Sequence, residues 1–201
     1  MKVYLVSNNL VVNNISYEST ESIEAKRISR PLSIDGDKEA KKLIDKIDAD
    51  IIYSSNYASA IESARFYSEA KGENIIINSS LNDSKIGDVK NRNIKMLRYM
   101  QERDFNFKFD GGESLNETHY RMNTIMNKIV NKYPESNVVV FTHRRSIIAY
   151  LLKYLEKGYN LDDNLILSLN DKVIIDDVER DIDIVELFYV NGKIVDANVI
   201  E

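Results

Sequence analysis

The first residue here that invites chemistry is a histidine set directly behind an apolar run. Residues 137–142 read Asn-Val-Val-Val-Phe-Thr and His143 follows. An imidazole at the end of a buried strand can serve as nucleophile, general base or anion contact. Two further apolar runs end in the same way, in small polar residues. Lys2-Val3-Tyr4-Leu5-Val6 runs into Ser7-Asn8-Asn9, and Asp50-Ile51-Ile52-Tyr53 runs into Ser54-Ser55. Ligands of open parallel sheets sit beyond the carboxyl ends of the strands. The three ends are therefore expected along one edge, with Ser7, Asn8 and Asn9 at its centre. Arginines that could hold an anion stand close by in sequence. Arg144 and Arg145 follow His143, and Arg27 and Arg30 lie in the stretch behind the first strand. The plainer reading of Arg144 and Arg145 is that they point to solvent over the start of a helix.

Other polar residues read as structural. His119 falls beside the apolar stripe of a long helix and is expected to pack there. Asp162, Asp163, Asp176, Asp177, Glu179, Asp181 and Asp183 make an acidic C-terminal stretch without the glycine and closing glutamate of a calcium loop, so a solvated face is expected. A Ser7–His143–Asp83 triad is conceivable, but no nucleophile-elbow pattern supports it.

Composition narrows the field. The chain has 201 residues, two histidines, no cysteine and a net charge of −5. Disulfides, thiol nucleophiles and cysteine or multi-histidine metal sites are thereby excluded, and neither metal nor cofactor is expected. The negative charge argues against nucleic acid as a partner. No run approaches the ~18 apolar residues of a membrane span, and no signal-peptide pattern opens the chain, so a cytoplasmic protein is expected. The length suits a single domain over residues 1–201.

The elements that must position these residues follow from apolar spacing. Residues 10–30 are polar and unpatterned and read as a long loop near the pocket. Ala40, Leu43, Ile44 and Ile47 predict a helix from Asp37 onward. Tyr57, Ala60, Ile61, Ala64 and Tyr67 predict another, and residues 75–77 a short strand. Ile94, Leu97 and Met100 suggest a short helix; Leu115, Met122, Ile125, Met126, Ile129 and Tyr133 mark a strong one over 113–133; Ile147, Ile148, Leu151, Leu152 and Leu155 mark the last. Residues 172–175 and 182–190 read as strands, and Asn191-Gly192 turns the second into a hairpin with 193–200. Strand–helix alternation followed by antiparallel strands predicts a three-layer α/β/α fold with a mostly parallel mixed sheet.

Four segments, in order, carry a resemblance. Pro31-Leu32-Ser33 with Gly36; Tyr53-Ser54-Ser55 with Ala60, Glu62 and Ala64; Gly111-Gly112-Glu113-Ser114-Leu115; and Val140-Phe141-Thr142-His143 together resemble the histidine phosphatase superfamily, the phosphoglycerate mutase-like fold. That family transfers phosphoryl groups through a phosphohistidine. Its first strand ends in Arg-His-Gly, arginines and a second histidine clamp the phosphate, and an acid protonates the leaving oxygen.

The resemblance sets Ser7 against the arginine of that motif, Asn8 against the nucleophile, Ser59 against the second arginine, Asp83 against the acid and Arg144 against a glycine; His143 alone is kept. An amide nitrogen, its lone pair delocalised, cannot take up a phosphoryl group. Loss of a covalent nucleophile costs ~10⁶-fold by analogy with serine proteases, and loss of one charge-stabilising donor ~10²–10³-fold. The resemblance thus implies a pseudoenzyme that binds a phosphate, a phosphorylated small molecule or a protein partner, with Ser7, Asn8, Ser59, His143 and Arg144 as its ligand contacts. The alternative is a weak or rearranged phosphomonoesterase using His143 and Asp83 with Arg144 and Arg145.

Overall fold

The computed structural model describes residues 1–12, 22–88, 94–176 and 180–200. Its helices are α1 (Ile23–Ser29), α2 (Ile34–Lys46), α3 (Ala58–Lys71), α4 (Ile94–Arg103), α5 (Leu115–Lys132) and α6 (Arg144–Leu151). Its strands are β1 (Lys2–Asn8), β2 (Ile51–Ser54), β3 (Ile75–Ile77), β4 (Val138–Thr142), β5 (Glu156–Tyr159), β6 (Leu165–Leu169), β7 (Lys172–Ile175), β8 (Ile182–Val190) and β9 (Lys193–Val199). The main sheet runs β3-β2-β4-β1-β8-β9. β1, β2, β3 and β4 are parallel, β8 is antiparallel to β1, and β9 is antiparallel to β8.

The period-2 alternation of each strand sorts the core into two layers. Val3, Leu5, Val138, Val140, Val185 and Leu187 face one way, onto Met122, Met126 and Ile129 of α5 and Ile147 and Leu151 of α6. Tyr4, Val6, Ile52, Val139, Phe141 and Ile184 face the other way, onto Ala40 and Leu43 of α2 and Ala60, Ala64 and Tyr67 of α3. A strand covered on both faces can be apolar throughout, which is why these runs show no polar alternation. Each aliphatic or phenyl side chain so buried stabilises the fold by ~1.5–3 kcal/mol. The α/β/α sandwich and its mostly parallel sheet are those expected from the sequence.

Helix starts are set by caps. Ser33 accepts from the Gly36 N–H at 3.1 Å and starts α2 at Ile34, three residues ahead of the apolar periodicity. Ser114 and Glu117 form a reciprocal capping box, so α5 begins at Leu115 instead of 113. The Asn191-Gly192 hairpin is present with both residues at positive φ, 51° and 74°, as a two-residue turn of this hand requires.

Two expectations give way. Residues 10–30 are not all loop: α1 stands there, capped by Ser22 on the Ala25 N–H. It shows no apolar stripe because Lys26 is its one buried residue. Residues 13–21 of that stretch lie outside the described residues. Second, β5 and β6 precede β7 and make with it a separate antiparallel sheet. The sequence of β5, Glu-Lys-Gly-Tyr, carries no strand-like alternation. Among the described residues, no helix is long and apolar enough to cross a membrane.

Candidate functional site

β4 lies between β1 and β2, and the register brings their ends level. Ser7 pairs with Thr142, Ser54 pairs with Phe141, and the Ser55 N–H donates to the Phe141 carbonyl at 2.9 Å. His143 caps α6 in extended conformation and stands at this edge. Its Nε2 is 2.8 Å from Ser55 Oγ, and its ring centroid is 4.6 Å from that of Tyr57. Burial lowers the His143 pKa to about 4; nearby Asp83 opposes this, and Arg27 and Arg121 add to it. The imidazole is therefore neutral at physiological pH, and its bond to Ser55 is a neutral hydrogen bond whose direction follows the tautomer.

Asp83 rides on a segment fastened from several sides. Thr142 Oγ1 donates to the Leu81 carbonyl at 2.6 Å and Ser146 Oγ to the Asn82 carbonyl at 2.8 Å. Arg121 of α5 donates to the carbonyls of Ser80 (2.9 Å), Asn82 (2.7 Å) and Asp83 (3.1 Å), and grips both oxygens of Glu113 at 2.9 Å. Glu113 in turn accepts from the Lys85 N–H at 3.0 Å. Gly87 and Gly112 let this segment meet the one before α5. A Cβ at Gly87 would lie 2.5 Å from the Gly112 nitrogen, and one at Gly112 would lie 2.7 Å from the Ile86 oxygen. The Gly-Gly-Glu-Ser stretch is thus a clamp on the loop that carries Asp83.

The Asp83 carboxylate pairs with Arg27 of α1. Burial alone would raise its pKa, but Arg27, His143 and the Ser84 N–H outweigh burial and hold it below the usual range. Arg27 also reaches both oxygens of Glu24 and the Ser84 carbonyl, each at 3.0 Å.

The remaining candidates fall apart from this cluster. Asn8 spends its amide on backbone: Nδ2 donates to the Gly36 carbonyl at 3.0 Å and Oδ1 accepts from the Leu10 N–H at 3.1 Å. Ser7 is buried and donates to Asn9 Oδ1 at 3.0 Å, so the hydroxyl beside His143 is Ser55, and a Ser7-based triad is not assembled. Ser59 is buried in the first turn of α3. Arg144 and Arg145 do not point to solvent. Arg144 pairs with Asp183 and donates to the Asp176 carbonyl at 2.6 Å; Arg145 pairs with Glu102 at 2.8 Å. Successive helical residues diverge by about 100°, which sends one guanidinium to β8 and the other to α4. Asp183 is correspondingly buried, unlike the exposed Asp162, Asp163 and Asp181; Asp177 and Glu179 lie outside the described residues. His119 sits 3.1 Å from the Ala149 and Tyr150 carbonyls and stacks on Tyr150, between α5 and α6. Among the described residues, no group of three His, Asp or Glu is placed to hold a metal ion. Glu24 and Arg121 were not singled out from the sequence, and Glu113 was read only as part of the Gly-Gly-Glu-Ser segment. Glu24 reaches the Ile86 N–H 62 residues away and Arg121 reaches carbonyls 38 to 41 residues away, links that no local pattern announces.

The profile of the histidine phosphatase superfamily, branch 1, matches residues 18–183, more than four fifths of the chain. The chain belongs to that superfamily. Among solved structures, the histidine phosphatase architecture is shared with a mycobacterial glucosyl-3-phosphoglycerate phosphatase, at 15% identity and TM-score 0.66 over 98% of this chain and 96% of that one. Its complex with inorganic phosphate matches at 17% identity and TM-score 0.61, over 77% and 78% of the two chains. The alpha-ribazole phosphatase of Shigella flexneri matches at 15% and 0.66, over 99% and 94%. Likeness at these identities is one of fold. No curated protein sequence matches the chain. The superfamily match begins at residue 18, so Ser7, Asn8 and Asn9 lie outside it.

Proposed function

We propose that this member of the histidine phosphatase superfamily has given up phosphoryl transfer through a phosphohistidine and keeps its strand edge as a binding site for a phosphorylated small molecule or a protein partner. The observation that carries this reading is the Asn8 side chain. An amide stands at the end of the first strand, where the family places its nucleophile, and both of its polar ends are bonded to backbone. It offers no lone pair to phosphorus and has no freedom to approach one. The start of the superfamily match at residue 18 agrees with divergence at this strand end. Ser7 and Ser59, at the proposed arginine positions, supply no charge.

His143, Ser55 and the Asp83–Arg27 pair remain at the edge as groups that can contact a ligand. A phosphorylated ligand fits the phosphate complex of the mycobacterial neighbour. The rearranged phosphomonoesterase ranks behind, because it needs Arg144 and Arg145 as a phosphate clamp, and Asp183 and Glu102 already hold them.

The deciding experiment is hydrolysis of an aryl phosphate by the wild-type protein and by His143→Ala, over pH ~5–8, where the His143 imidazole is neutral and free to act as a base. Equal, background rates are expected. Turnover that disappears with His143 would overturn the proposal and show that the chemistry has moved within the site.

A further inference from the structure

α1 is held by an unusual set of contacts. Its one buried residue is a lysine, and Ile28 is 40% exposed. Apolar burial therefore contributes little to its docking. One turn of the helix supplies a polar grip. Arg27 reaches Asp83 and the Ser84 carbonyl, while Glu24, bonded to Arg27, accepts from the Ile86 N–H at 2.7 Å. The Tyr57 hydroxyl lies 3.5 Å from Glu24, and the Tyr57 ring packs on His143. Glu24 and Arg27 thus tie α1 to the Asp83 segment and to Tyr57 at the start of α3, whose ring packs on His143.

The described residues that flank α1 at a distance, 10–12 and 31–33, are joined independently. Val11 bridges Leu32, the Val12 N–H donates to the Pro31 carbonyl at 3.1 Å, and the Ser33 N–H donates to the Leu10 carbonyl at 2.9 Å. The Leu32 N–H is held by Glu62 at 2.6 Å. Val12 and Pro31 are tied to each other through bonds that do not involve α1. α1 can therefore detach without unravelling β1 or α2. Elements with few buried apolar contacts are the ones that open locally.

We propose that α1 is a strap buckled across the strand-edge site by Glu24 and Arg27, and that a ligand reaches Ser55 and His143 when this strap is released. The inference rests on the reading of the strand edge as the binding site. It assigns Glu24 and Arg27 to access and not to chemistry.

The chain contains no cysteine, so Ser55→Cys creates a single thiol at a side chain that is 0% exposed. The measurement is its alkylation rate by iodoacetamide, a neutral reagent, alone and combined with Arg27→Ala or Glu24→Gln. Glu24→Gln keeps the guanidinium and serves if Arg27→Ala fails to fold. Ser63→Cys, buried in α3, reports opening of the fold as a whole. Both strap variants are expected to speed Ser55→Cys labelling at least ~10-fold, the change that a loss of ~1.4 kcal/mol of docking produces, with Ser63→Cys labelling unchanged. Equal Ser55→Cys rates would overturn the proposal. So would fast labelling without a strap variant, or acceleration of both thiols together. None of these readouts depends on turnover: phosphate hydrolysis by the wild type would refute the proposed function and leave the strap standing.

Discussion

Arg121→Ala is the substitution from which the site's architecture has most to lose. Its guanidinium makes five hydrogen bonds, two to Glu113 at 2.9 Å and one to each carbonyl of Ser80, Asn82 and Asp83. Alanine leaves Glu113 with the Lys85 N–H as its remaining donor and strips those carbonyls of this donor. Removing one partner of a buried ion pair costs ~3–5 kcal/mol. Both side chains here are 19% exposed, so water recovers part of the loss and the low end, about 3 kcal/mol, is expected. In a chain of this length each kcal/mol is worth ~2–4 °C, which gives a fall in Tm of about 6–12 °C. Thermal melts and urea midpoints measure it. Arg121→Lys keeps the charge but cannot span a carboxylate and three carbonyls, so it should recover less than half. Adding Glu113→Gln to Arg121→Ala should restore part of the stability by removing the stranded carboxylate. The effect should also shrink in acid. Burial would raise the Glu113 carboxyl, but Arg121 outweighs it and holds the pKa below its usual value. The pair's contribution is present above the unfolded-state pKa and is lost as pH falls through the lower folded value. An Arg121→Ala protein within ~0.5 kcal/mol of wild type would refute this account of how the Asp83 loop is held.

Two further outcomes follow from the same geometry. The unfolded His143 imidazole takes its proton near pH ~6.5, whereas the folded one waits until about 4, so stability should fall as pH drops through that window, by up to ~1.4 kcal/mol per pH unit; urea midpoints of His143→Gln should show a flatter profile. Gly112→Ala would press a methyl to 2.7 Å from the Ile86 oxygen and should cost ~1–3 kcal/mol by urea titration, while Gly158→Ala, with no atom within 4 Å of the new carbon, should not share that loss.

The strand ends were legible because an apolar run closed by small polar residues carries its own meaning. That β4 lies between β1 and β2 makes neighbours of Ser55 and His143, and no local pattern announces the pairing. Arg144 and Arg145 show the opposite case. Each looked free from its neighbours in sequence, and the acids that claim them lie 39 and 43 residues away. Arg121 was hidden because helical periodicity says which face of α5 is buried and not what stands across from its margin. α1 was unreadable for a related reason: a helix held by Glu24 and Arg27 leaves no apolar stripe to find.

The amide of Asn8 bears on how such a site evolves. It joins the end of β1 to the Leu10 N–H and the Gly36 carbonyl, at the junction where α2 begins. Each bond is worth ~0.5–1.5 kcal/mol, a sizeable share of a total near ~5–15. A lineage that placed histidine at this position would forfeit that joint at once. On the proposed assignment it would gain no chemistry until charge also returned at positions 7 and 59. On that assignment selection would meet the loss of stability before any gain in chemistry.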